Sequence, residues 1–326
     1  MLKKVLKKVI PKKIRFYVRH KKAKFIHRER KLSFGQENPK KTFYIIDSSR
    51  HAKDGIFSLA VRFSTHIEYA LSKNYIPIID MQNHDNQYLD GMGTGKENAW
   101  EYFFEQPCGF NLSQIKNSKN IIIAGLFSSE KRLNFLNYNR DFDSQLFLEF
   151  KKIFQKYIKF NETTKNYINE EEQMIKNKRV LGVLARGTDY VLKKPSGHAI
   201  QPNAIELIEK AKETMQTYNL DFVYLATEDE NIFENFSKEF GEKLLHNNQK
   251  RIKLSEQDLT DGKLLVDFNF GRERDKYHLG LEYIASIYVL SRCKYFIGGF
   301  TSGTISVMLM TLGFEYRYVY DLGIYP

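Results

Sequence analysis

Two patterns alternate along the chain. Short apolar runs bounded by polar turn residues suit buried strands; longer stretches with apolar residues every three or four positions suit amphipathic helices. In the first half, Thr42-Phe-Tyr-Ile-Ile-Asp47, Tyr75-Ile-Pro-Ile-Ile-Asp80 and Asn120–Gly125 predict strands, and Ile56–Asn74 and Phe142–Asn169 predict helix. In the second half, Arg179–Ala185, Asp221–Ala226, Lys243–His246, Tyr295–Ile297 and Tyr316–Tyr320 predict strands. Helices are predicted over Asn203–Tyr218, 229–240, His278–Arg292 and Thr301–Leu312. Strands alternating with helices imply an α/β chain whose parallel sheets carry helices on both faces.

Polar stretches divide this pattern. Residues 32–41 (LSFGQENPKK) read as a linker, and the charged run 170–178 as a joint between halves. The expected organisation is an arm and linker at 1–41, an N-terminal domain at 42–175 and a C-terminal domain at 176–326. Residues 247–276 form a long polar stretch, and long loops of this kind are commonly functional.

Charge changes the picture of the arm. Of the 51 Lys and Arg, 14 lie in residues 1–31 beside a single acid, Glu29, so the rest of the chain holds 37 bases and 38 acids. Leu2, Val5, Leu6, Val9 and Ile10 recur at helical spacing among lysines until Pro11 stops the helix. Lysines interrupt the apolar run too often for a signal peptide. Apolar residues entering a lipid boundary while Lys and Arg meet anionic headgroups suit a membrane-surface anchor. A near-neutral body argues against nucleic acid as the partner. Hydrophobic residues make up 42% of the chain, enough for two cores. The two cysteines, Cys108 and Cys293, exclude a disulfide framework, and no apolar run of about 18 residues predicts a membrane span.

Candidate chemistry lies where strands end, because parallel sheets bind ligands at their carboxyl edges. The first such exit is Ala185-Arg186-Gly187-Thr188-Asp189: Arg186 can clamp a phosphate, with Asp189 holding the guanidinium. At the second, Thr227 and Glu228 can hydrogen-bond a ligand hydroxyl or cap the next helix, and Asp229 suits its positive end. The third, Gly298-Gly299-Phe300-Thr301-Ser302-Gly303-Thr304, offers hydroxyls and helix-start amides to an anion without being a P-loop. Two phosphate-binding exits in one half suggest the diphosphate of a nucleotide-sugar.

These exits, in this order, resemble those of the fucosyltransferase-like superfamily, which contains the α1,2-, α1,6- and protein O-fucosyltransferases. Its members carry a strand ending His-x-Arg-Arg-x-Asp, a strand ending in Thr-Asp or similar, and a Ser/Thr-rich turn before a helix. Here Leu184 stands at the His and Gly187 at the second Arg. The segments LGVLARGTDYVLKKPSGHAIQP, GKENAWEYFFEQP (95–107) and GLEYIASIYVLSRC (280–293) are similar to a bacterial branch from surface-polysaccharide gene clusters. The resemblance covers roughly residues 42–326. It implies a GT-B fold, two facing Rossmann-like domains with a cleft between them, the acceptor side N-terminal and the donor on the C-terminal domain. It further implies metal-independent transfer of fucose from GDP-fucose with inversion, to a glycan or lipid-linked glycan of the bacterial surface. Arg186 would bind the donor β-phosphate and Ser302 with its neighbours the diphosphate; no cofactor is implied.

Inversion needs a base for the acceptor hydroxyl. Asp54, before Gly55 in the loop after the first strand, is the leading candidate, because the protein O-fucosyltransferases carry an acid before a glycine there. Asp189, His198 and Glu101 are alternatives, and His198 also suits a donor contact. Arg272, Arg274 and Tyr277 could close over the donor. Asp141-Phe-Asp143 spells a metal-binding D-x-D but opens a helical segment, which suits a cap; no His pair has the helical spacing of a zinc site. The expected protein works at the cytoplasmic face of the membrane. Rival readings are another nucleotide-hexose donor, or a non-enzymatic basic-armed protein that binds nucleic acid or anionic surfaces.

Overall fold

The computed structural model describes residues 21–89, 91, 93–187, 194–255, 258, 261 and 267–326. The first sheet comprises β1 (Arg30–Leu32), β2 (Glu37–Asp47), β3 (Ile76–Asp80) and β4 (Ser118–Ile123), in the order β1-β4-β2-β3. β2 runs parallel to β3 and β4, and β1 closes the edge antiparallel to β4. Phe43 and Ile45 of β2 pack with Ile78, Ile115 and Ile121 on one face, while Tyr44 and Ile46 meet the main core on the other. Burial on both faces explains the unbroken apolar run of this strand.

The second sheet holds β5 (Val180–Leu184), β6 (Phe222–Ala226), β7 (Leu244–Leu245), β8 (Tyr295–Gly299) and β9 (Tyr316–Tyr320), all parallel, in the order β7-β6-β5-β8-β9. Chain order therefore reverses between β5 and β8, and a ligand crevice is expected above their carboxyl ends.

The helices among the described residues are α1 (Ile56–Ser72), α2 (Leu112–Ile115), α3 (Glu130–Tyr138), α4 (Gln145–Tyr157), α5 (Glu162–Glu172), α6 (Ala204–Tyr218), α7 (Glu230–Phe240), α8 (Asp275–Arg292) and α9 (Ser302–Met310). One apolar core joins the halves. Phe57, Trp100 and Phe103 share it with Ile284, Leu290 and Phe296, and the rings of Phe57 and Tyr283 meet edge-on at 5.7 Å. Helices α4 and α5 lie against α9 and α8, so helices N-terminal to the expected boundary at 175 help cover the second half. None of the described helices is long and apolar enough to cross a membrane.

Two expectations are corrected. Residues 32–41 are not a linker: Leu32 belongs to β1, and Glu37–Lys41 begin β2, pairing with β4 through Glu37 opposite Ser118. Phe142–Asn169 is two helices, broken at 158–161, where the Asn161 side chain accepts from the Thr164 amide at 2.9 Å and starts α5. Helices α2 and α3 were not anticipated. Of the arm, residues 1–20 lie outside the described residues; residues 21–26 are helical and lead into β1.

Candidate active site

A cleft of about 710 Å³ opens between the two halves. Its walls include Asp54, Arg186, His198, Glu228, Thr301 and Ser302, six of the residues singled out from the sequence. They arrive from the loop after β2, the ends of β5, β6 and β8, and the loop before α6.

Leu184 of β5 lies opposite Gly298 of β8, so Arg186 and Thr301 leave the sheet side by side. Arg186 Nη1 stands 3.0 Å from Glu228 Oε1, and the same carboxylate oxygen accepts from the Gly187 amide at 3.1 Å. Glu228 thereby fixes the direction of the guanidinium. Asp229, next in the chain, is the helix cap: its Oδ1 accepts from Ile232 N at 3.0 Å. Gly187 runs against it closely enough that a Cβ would stand 2.7 Å from Asp229 Cβ, so a larger side chain has no place here.

At the third exit, the Thr301 side chain caps α9 by accepting from Thr304 N at 3.2 Å. The first amides of a helix lack intrahelical acceptors, and Ser302, which opens α9 on the cleft wall, brings the positive pole of the helix to the cleft. Asp54 faces this edge from the other half. Its Oδ2 is 3.1 Å from His51 Nδ1, and Gln87 donates to its carbonyl at 2.8 Å.

Other expected site residues lie elsewhere. Thr227 is buried and its hydroxyl accepts from the Asp229 amide, so it turns from the cleft. Gly303 and Thr304 are buried; a Cβ on Gly303 would meet Tyr283 Oη at 2.6 Å, and the Thr304 hydroxyl donates to the Gly299 carbonyl. Arg272 is no lid: it pairs with Asp275 at 2.8 Å and with Glu282, tying down the start of α8. Arg274 and Tyr277 stack with Tyr102 and Phe103 away from the cleft. Glu101 accepts from Gln106 at 2.9 Å and Asn98 at 3.3 Å, which makes it part of a loop scaffold rather than a base. Asp189 lies outside the described residues. Asp141 accepts from the Asp143 amide at 3.0 Å ahead of α4, and Asp143 pairs with Arg317. No group of three or more His, Cys, Asp or Glu among the described residues is placed to hold a metal ion.

Sequence reasoning missed much of the cleft's charge. Lys53, Arg62, Arg140, Lys250 and Lys276 also line it, against Asp54, Glu228 and Glu282. Cations outnumber carboxylates, as an anionic ligand requires. Arg62 is half-buried on α1, where desolvation lowers its pKa and the charge of Asp54 opposes that shift. A lone arginine within an apolar helical pattern was the signal that could have found it.

No protein-family model matches the sequence, and no curated protein matches it. Among solved structures, the chain is similar to the fucosyltransferase NodZ from Bradyrhizobium, with a TM-score of 0.49 and 14% identity, covering 83% of this chain and 94% of that one. It is similar to POFUT1 in complex with GDP, with a TM-score of 0.48 and 9% identity, covering 86% and 98%. It is also similar to Arabidopsis thaliana FUT1 in complex with GDP, with a TM-score of 0.45 and 9% identity, covering 86% and 70%.

Proposed function

We propose that the protein is a glycosyltransferase that moves fucose from GDP-fucose to a hydroxyl of a bacterial surface glycan, with inversion and without a metal. The observation that carries this reading is the meeting of Arg186, oriented by Glu228, with the amino end of α9 at the reversal point of the second sheet, across a cleft from Asp54. The motifs that resemble the fucosyltransferase-like superfamily supply the donor.

In this reading the donor diphosphate lies between Arg186 and the amino end of α9 at Ser302. As the bond between the anomeric carbon and the phosphate oxygen breaks, negative charge grows on the departing GDP. Fixed donors aimed at that charge lower the barrier. Asp54, held by His51, takes the proton of the acceptor hydroxyl while its oxygen attacks the anomeric carbon from the opposite face. The basic arm at 1–31 holds the enzyme against the cytoplasmic face of the membrane, where a lipid-linked acceptor resides. Its described part fits that role, since Phe25 and Ile26 are 65% and 55% exposed beside Lys21, Lys22 and Lys24. Leu184, in place of the superfamily histidine, favours a second reading in which the nucleotide is not guanine.

The test is transfer of labelled fucose from GDP-fucose to lipid-linked glycans by the wild-type enzyme and by Asp54→Asn. Loss of about 10²–10⁴-fold in kcat, with donor affinity retained, is expected for removal of a general base. Full turnover in Asp54→Asn would remove Asp54 from the mechanism.

A further inference from the structure

The first sheet has a reversal point of its own. β3 lies on one side of β2 and β4 on the other, so the rule that places a ligand above β5 and β8 also calls for a crevice above β2 and β4. A pocket of about 170 Å³ opens there, bounded by Ile46 and Asp47 at the end of β2 and by Ile123 and Ala124 at the end of β4. Arg28, Arg30, Arg50 and Arg62 face it, and Asp47 is the one carboxylate among the described residues that line it. Asp47 is already engaged by the Ser49 amide at 3.1 Å and the Ser49 hydroxyl at 2.5 Å. None of the four arginines makes an ion pair among the described residues. Arg50 instead meets the imidazole Nδ1 of His27 at 2.7 Å.

Arg62 is the telling member. Its Nε is buried with no hydrogen-bond partner. A guanidinium so placed costs free energy until an acceptor reaches its outer nitrogens, and an anion is the strongest such acceptor. Arg62 also lines the donor cleft, and His51, on the pocket wall, holds Asp54. The pocket thus abuts the proposed base on the side away from the donor phosphates.

We propose that this pocket binds an oxyanion of the acceptor, a phosphate or a carboxylate, and so sets the acceptor hydroxyl against Asp54. This rests on the transferase reading above. The donor's own phosphates are accounted for at Arg186 and α9, which leaves the arginines of the first half for the other substrate. His66, buried in the same pocket, stays neutral at pH 7, because burial and the neighbouring Arg62 and His51 lower its pKa to about 4 against the pull of Asp47. The positive charge of the pocket therefore comes from the arginines.

The experiment titrates the full chain, saturated with GDP, with inorganic phosphate and separately with glucuronate at constant ionic strength, following the midpoint of thermal unfolding. Wild-type protein should be stabilised by at least one probe, and Arg50→Ala and Arg30→Ala should each weaken that response by about fivefold or more, as loss of a charged hydrogen bond implies. Both arginines are exposed, so neither variant threatens the fold. A response to phosphate alone assigns a phosphate-bearing acceptor, and one to glucuronate alone an acidic sugar. If GDP stabilises the protein but neither probe does, or if the variants respond as the wild type does, the pocket proposal is overturned and the transferase reading stands. If GDP has no effect while the probe response and its loss in the variants persist, the oxyanion pocket stands and the transferase reading falls.

Discussion

Glu228 shows how much one residue organises here. It binds Arg186 and the Gly187 amide together, and it precedes the aspartate that caps α7. Glu228→Gln keeps the shape but loses the charge that orients the guanidinium. GDP affinity should fall by roughly tenfold, the scale of one charged hydrogen bond, as measured by calorimetry; unchanged affinity would mean that Arg186 is oriented by something else. His66 gives a prediction with a definite sign. Its pKa falls from 6.5 to about 4 on folding, so the unfolded chain binds more protons between those values. Its contribution is therefore complete above pH 6.5 and lost as pH falls towards 4, with a size on the order of 3 kcal/mol. The urea midpoint of His66→Gln should depend less on pH across that window than the wild type's; parallel curves would contradict the assignment.

Among elements, α8 bears the most. Its buried face carries the join between the halves, and Gly280 lets it approach so closely that a Cβ would stand 2.7 Å from Phe103 Cζ and 3.0 Å from Tyr88 Cε1. Gly280→Ala should cost about 1–3 kcal/mol through overpacking, seen as a lower urea midpoint; a variant as stable as the wild type would show that the join gives way easily. At the site, Thr301→Ala removes the cap of α9 and should cost about 1 kcal/mol while also weakening GDP binding. The strands were legible because parallel strands buried on both faces leave unbroken apolar runs, as in Tyr44–Ile46 and Leu181–Leu184. The start of β2 was not, because Asn38 takes a positive φ of 52° and the register shifts between Glu37 and Thr42 in a polar segment. Arg186 and Ser302 could be read as strand exits. Arg272 was misjudged because its partner Glu282 lies ten residues on, one helix turn after another away from the loop, and only the fold brings them together.

For the whole molecule, charge is divided by role: a basic arm, a cleft rich in cations and a body near neutrality. If the arm binds membrane by attraction to headgroups, the full chain should sediment with phosphatidylglycerol vesicles at low salt. It should release from them near 1 M salt, where screening shortens to about 3 Å. Binding indifferent to salt would assign the contact to Phe25, Ile26 and their apolar neighbours instead. In the proposed function, Arg186 and the amino end of α9 hold the diphosphate of a guanine nucleotide. Calorimetric titration of the full chain with GDP, UDP and CMP, repeated on Arg186→Ala, tests it most directly. GDP should bind selectively, and its affinity should fall by roughly 10–100-fold in the variant, as loss of a charged clamp implies. Equal affinity of the two proteins for GDP, or no binding of GDP by either, would contradict it.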